Sequence, residues 1–70
     1  MSNIIPFFFN GEEYYTNRKI NITKLLKYFD YHSSLFVVEH NSFICNKNKW
    51  NKTTIQKNDT IEIITIVGGG

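Results

Sequence analysis

Three glycines close the sequence in "IEIITIVGGG", and they are the residues best suited to chemistry at a chain end. Gly68, Gly69 and Gly70 carry no Cβ, so this stretch can thread a channel too narrow for other residues. It is flexible enough to reach away from a folded body. Read as a free C-terminus, it presents the Gly70 carboxylate for capture or for chemical activation. Terminal glycines are also what a disordered end looks like, so the two readings must be separated by what precedes them. They are not a dinucleotide fingerprint, because no helix follows to receive a pyrophosphate.

The other polar candidates point to weaker chemistry. Cys45 lies in an apolar, strand-like stretch with no adjacent base and reads as a buried structural thiol. A single cysteine cannot form an internal disulfide, which suits a reducing compartment. His32 and His40 are far apart, with no Cys or carboxylate at ligand spacing, so no metal site is expected. Glu12 and Glu13 sit at a turn signal and should face solvent. "KNKWNK" (47–52) mixes cations with an aromatic, a combination that can grip single-stranded nucleic acid. Against a net charge of only +2 it reads instead as a solvated loop whose Trp50 plugs the core edge. Tyr14, Tyr15, Tyr28 and Tyr31 read as strand and helix packing. No nucleophile–base pair is visible, so a catalyst in its own right is not expected.

The body that must position the glycines is small. Seventy residues make one domain, and 41% hydrophobic with 16% aromatic content fits a folded chain rather than a disordered one. A core of this size leaves little surplus stability for an elaborate pocket, so the chemistry should need a partner. No apolar run reaches the length of a membrane span. "MSNIIPFFFNGEE" has no basic leader, so neither a signal nor a transit peptide is expected. Ile, Asn and Lys abound, Ala is absent and Arg appears once, the bias of an AT-rich genome. That favours the plastid stroma if a plastid genome encodes the chain, and otherwise a bacterial cytoplasm.

Local patterns give the order β-β-α-β-β-β. "IPFFF" (5–9) and "EYYT" (13–16) flank "NGE", a strong hairpin signal. Pro6 cannot donate to a ladder, so it belongs at the start of the first strand. Ile22, Leu25, Leu26 and Phe29 form one helical stripe, with Asn21 as N-cap and Thr23, Lys24 and Lys27 opposite. "LFVVEHN" (35–41), "FIC" (43–45) and "IEIITIV" (61–67) read as strands, with Trp50 and Ile55 anchoring the segment between the last two. The order fits an α+β, ubiquitin-like β-grasp: a mixed sheet with one principal crossover helix, first and last strands parallel in the centre. Residues 1–67 form the body and 68–70 the tail.

Strand parity assigns the faces. Ile61, Ile63 and Thr65 should face the helix, as should Phe7 and Phe9. Glu62, Ile64 and Ile66 then point outward with Phe8, giving an apolar outer patch of Phe8, Ile64 and Ile66 that leads through Val67 to the glycines. Such a patch on a small domain marks a binding surface.

From "FNGEEYY" through "ITKLLKYF" and "FVVEHNSFI" to "NDTIEIITIVGGG", nearly the whole chain resembles the ThiS family of thiamine-biosynthesis sulfur carriers, in the ubiquitin-like β-grasp superfamily. The resemblance implies that Gly69 and Gly70 are the working residues and Gly68 an extension of the arm. It implies that an E1-like, ThiF-like enzyme uses ATP and magnesium to adenylate Gly70. A sulfur donor such as a cysteine desulfurase then converts it to a thiocarboxylate, and a ThiG-like thiazole synthase takes the sulfur. The carrier itself would bind no cofactor or metal, no nucleic acid and no membrane, and would be a monomer when free. Three other readings stand beside this one. A molybdopterin-synthase small subunit uses the same tail chemistry, a ubiquitin-like tag would link Gly70 to lysines, and an interaction module would use only the outer patch.

Overall fold

The computed structural model describes residues 3–32 and 35–65. Five strands, one α-helix and one 3-10 helix follow in the order β1 (Ile5–Phe9), β2 (Glu12–Thr16), α1 (Ile22–Tyr28), β3 (Phe36–His40), β4 (Phe43–Cys45), the 3-10 helix (Lys47–Lys52) and β5 (Thr60–Thr65). The strands form one sheet in the order β2-β1-β5-β3-β4. β1 and β5 are parallel at its centre, and all other neighbours are antiparallel.

Both hairpins close through residues in the left-handed region. Asn10 and Gly11 have φ of 51° and 84°, the pattern of a two-residue turn whose twist matches the strands it joins. Asn41 and Ser42 repeat it between β3 and β4 with φ of 53° and 75°. The helix begins where Asn21 accepts a 2.8 Å hydrogen bond from the Lys24 N–H. It ends in a Schellman arrangement, with Tyr31 N–H donating to Leu26 C=O and Asp30 N–H to Lys27 C=O, while Asp30 takes φ 64°.

One face of the sheet carries the helix. Phe7, Phe9, Ile22, Leu25, Leu26, Val38, Ile55 and Ile61 form the buried core. Phe9 stacks on Phe29 at 4.4 Å between ring centres, closing the end of the helical stripe. The expected parity of β1 and β5 holds, since Phe7, Phe9 and Ile61 are buried and Ile63 packs against the core. Thr65, expected toward the helix, is exposed at the strand's far end.

Three sequence expectations need correction. The segment 47–52 is a 3-10 helix rather than an irregular loop. Trp50 does anchor it: the indole lies parallel over Phe36 at 5.8 Å and donates from Nε1 to Cys45 C=O. Cys45 is half-buried rather than buried, with its Sγ 3.7 Å from Thr53 Oγ1. Tyr14 and Tyr31 pack as expected, but Tyr15 and Tyr28 are 63% and 81% exposed. These two rim a groove of about 730 Å³ between β2 and α1.

Candidate functional site: the outer sheet face

The strand register shows which side chains share the face away from the helix. β1 contributes Pro6 and Phe8, β2 Glu13 and Tyr15, β3 Val37 and Glu39, β4 Ile44, and β5 Thr60, Glu62 and Ile64. They lie in rows across the strands. Val37 stands opposite Ile64 in one row, and Ile44, Glu39 and Glu62 form the next. Thr60, Phe8 and Glu13 follow, and Pro6 with Tyr15 lies beyond them.

This map corrects the expected patch. Phe8 and Ile64 do share the outer face, where Phe8 is half-buried and Ile64 40% exposed. They are not neighbours. Phe8 pairs with Thr60, four residues before Ile64, so the two side chains are offset by roughly 13 Å along the strand. Glu62 and Glu39 occupy the space between. The apolar zone around Ile64 is completed instead by Val37 and by Ile44, which is 59% exposed, while Phe8 belongs with Pro6 and Tyr15. Ile66, Val67, Gly68, Gly69 and Gly70 lie outside the described residues.

The cations are kept off the sheet strands. All eight Lys and Arg residues lie off the strands, on α1, the 3-10 helix and the connecting segments. Among the described strand residues, the outer face carries Glu13, Glu39 and Glu62 and no cation. Glu39 and Glu62 sit directly opposite one another on antiparallel strands, an arrangement that costs stability. Among the described residues, neither has an ion-pair partner.

The start of β5 is pinned by a polar knot around Asp59. Its Oδ2 is 2.7 Å from His40 Nε2 and accepts from Gln56 N–H at 2.8 Å, while its Oδ1 accepts from Asn41 Nδ2 at 2.9 Å. Its backbone C=O accepts from Phe8 N–H, so one residue ties β1 and the β3–β4 turn to the start of β5. Burial pushes the Asp59 carboxyl up. The hydrogen bonds from Asn41, His40 and Gln56 outweigh that and hold it below the ordinary carboxylate range. Asn41 Oδ1 accepts from Thr60 N–H, and Asn10 Oδ1 accepts from Ile63 N–H, so turn asparagines brace β5 at two further points.

Sequence spacing did not reveal this knot, because His40 and Asp59 are 19 residues apart. The outer residues Val37, Glu39 and Ile44 were legible in principle. In "FVVEH", one strand parity carries both the first Val and the Glu, and pairing with "EII" aligns them. Expected exposure of Glu12 and Glu13 holds, with Glu12 accepting from the Tyr14 hydroxyl at 3.0 Å. Among the described residues, no three His, Cys, Asp or Glu side chains cluster as a metal site, and no helix is long and apolar enough to cross a membrane. The described residues of the outer face thus form a surface of two apolar zones separated by a carboxylate row.

Comparison with known proteins gives this surface its context. The chain is 62% identical to the ycf40 protein of Trieres chinensis across its full length and 96% of that protein. It is 38% and 36% identical to the ycf40 proteins of Porphyra purpurea and Pyropia yezoensis, over 87% of this chain and 86% of each relative. The crystal structure of the thiamine biosynthesis protein ThiS from Geobacter metallireducens superposes with a TM-score of 0.81. That match covers 94% of this chain and all of the other at 23% identity, and so establishes the shared β-grasp fold. The sequence profile of the ThiS family matches residues 7–70, from the first strand through the closing glycines, and the chain belongs to this family of small sulfur carriers.

Proposed function

We propose that this chain is the sulfur carrier for the thiazole moiety of thiamine, with Gly70 as the loaded residue. The observation that carries the reading is the family match from residue 7 through residue 70, which takes in the closing glycines. A ThiF-like enzyme joins the Gly70 carboxylate to AMP at the expense of ATP, with magnesium, and releases pyrophosphate. The terminal sulfur of a cysteine persulfide, loaded by a desulfurase, attacks the acyl carbon and AMP leaves. A second thiol then takes the persulfide's cysteine as a disulfide and frees the thiocarboxylate. A ThiG-like synthase draws the sulfur into the thiazole ring and returns the carboxylate.

In this cycle the chain is a cosubstrate and its partners lower the barriers. Gly69 keeps the approach free of side chains and Gly68 lengthens the arm. The names of the relatives support a plastid setting, and the stroma is where such soluble partners would meet the carrier. The test is intact mass after incubation with ATP, magnesium, a persulfide donor and the ThiF-like enzyme. Replacement of one oxygen by sulfur is expected in the full chain and in none of a chain lacking Gly69 and Gly70. Gly69→Val should fold normally yet fail to load. Coupling to thiazole synthase, with molybdopterin synthase as the control, identifies which enzyme consumes the sulfur. Loading absent from the full chain, or present in the trimmed one, would end this reading.

A further inference from the structure

The opposed carboxylates of Glu39 and Glu62 have no explanation within the fold. Cross-strand neighbours on one face lie close enough to interact directly, and like charges there work against the sheet. Glu39 is half-buried, which raises the cost of leaving its charge without a counterion. Eight cations are available in this chain, and none has been placed beside the pair. The pair also sits between two apolar zones, Val37 with Ile64 on one side and Phe8 with Tyr15 on the other.

We propose that Glu39 and Glu62 together form the specificity element of the outer face, receiving one arginine from the partner protein between two flanking apolar contacts. A guanidinium is planar and offers five donors, so it can satisfy two neighbouring carboxylates at once, which a point-like ammonium does less well. Docking would replace a repulsion with a shared counterion, and the surrounding apolar rows would exclude water from the contact. The segregation of all cations to the other parts of the molecule sharpens the effect. It leaves the outer face a uniformly negative target for a positive surface and a poor one for a second copy of itself. Assigning the partner as the ThiF-like adenylating enzyme rests on the sulfur-carrier reading; the demand for an apolar surface centred on an arginine does not.

The experiment is titration of the full chain with the ThiF-like enzyme at several salt concentrations, using wild type, Glu39→Gln/Glu62→Gln and Glu39→Asp/Glu62→Asp. Neutralising both carboxylates is expected to weaken binding about tenfold or more and to flatten its salt dependence. The aspartate pair should retain most of the affinity, because charge rather than side-chain length is what the arginine reads. Thermal unfolding supplies a readout that a merely structural role would move the other way. Removing the like-charge pair should leave the melting temperature of Glu39→Gln/Glu62→Gln unchanged or raised.

Equal affinity and equal salt slope for the neutralised and wild-type chains would overturn the proposal. So would self-association of wild type through this face, whereas a failure of wild type to bind the enzyme would overturn the assignment of the partner as ThiF-like. The intact-mass assay separates this from the sulfur-carrier reading. Wild type that binds with the predicted salt dependence but never gains sulfur would sink that reading and leave the docking inference standing. Normal loading with no effect of neutralisation would do the reverse.

Discussion

The two faces of β5 use the same six residues of strand for opposite purposes. On the inner face Ile61 is wholly buried and Ile63 packs beside it, meeting Val38 across the pair and the helix above. On the outer face Thr60, Glu62 and Ile64 are exposed, with a like-charge pair in the middle and 40% of the Ile64 surface open. The inner face is chosen for burial, the term that dominates folding. The outer face contains groups that contribute little to folding or oppose it, and such residues persist on a small domain where something outside the fold uses them. The comparison predicts that stability and recognition separate by side-chain parity within single strands.

The largest expected loss is on the inner side. Ile61→Ala should cost about 3 kcal/mol, because it removes a fully buried branched side chain and leaves a cavity. A domain of this length has total stability on the order of 3.5–10 kcal/mol, so the urea midpoint should fall sharply. A midpoint close to that of wild type would show that the centre of the sheet is not the centre of the core.

Asp59→Ala comes next, at about 2–3 kcal/mol, because it strips a buried carboxylate from His40, Asn41 and the Gln56 N–H together. The sign of its pH dependence follows from the lowered native pKa. The Asp59 contribution is fully present above the unfolded value near 3.8 and is lost as pH falls through the lower native value. The gap between wild type and Asp59→Ala in urea melts should therefore hold from neutrality to about pH 4 and narrow below it. A gap that widens in acid would mean the carboxyl is held up, not down, by its surroundings.

These two residues also show which parts of the molecule were legible in the sequence. The role of Ile61 follows from alternation beside Glu62, just as Asn10–Gly11 announces a hairpin and the 22/25/26/29 spacing a helix. Each is a local signal, carried by backbone preference or periodicity. The Asp59 knot is not local, and neither is the stagger of β1 against β5. Parity told that Phe8 and Ile64 share a face, but only the parallel register places Phe8 beside Thr60 and inserts a carboxylate row between the two. The 3-10 turn of 47–52 was hidden for a similar reason. Its polar composition reads as loop, and what winds it is the anchoring of Trp50 on Phe36 and on Cys45 C=O. At the glycines, which lie outside the described residues, the proposed chemistry rests on the family motif rather than on local physics.

A smaller effect is expected at the helix entrance, where the inner layer is attached rather than filled. Asn21→Ala should cost about 1 kcal/mol through loss of the cap on Lys24 N–H. The Asn21 amide also donates to Asn51 C=O at 3.2 Å, joining the start of α1 to the 3-10 helix. Asn21→Ser keeps a capping oxygen but not this second link. If Asn21→Ser recovers the full stability, the cap alone matters; if it recovers part, the tie between the helical layers supplies the remainder. Either result ranks this site below Ile61 and Asp59.

The smallest predicted change on stability is the one that decides the comparison. Ile64→Ala removes a side chain that is 40% exposed and that, among the described residues, stands opposite Val37 across the strands, so it should cost less than about 1 kcal/mol. The same truncation at Ile61, three residues earlier on the opposite face, costs several times more. The contrast is informative because the residue type, strand and substitution are identical, which leaves burial as the main difference. If Ile64→Ala destabilised the isolated chain as much as Ile61→Ala, the outer face would have to be covered in the free protein. A melting temperature that rises with protein concentration in wild type, and ceases to do so in Ile64→Ala, would identify the cover as a second copy. A small, concentration-independent loss leaves the outer face open for the partner that Glu39 and Glu62 are placed to meet.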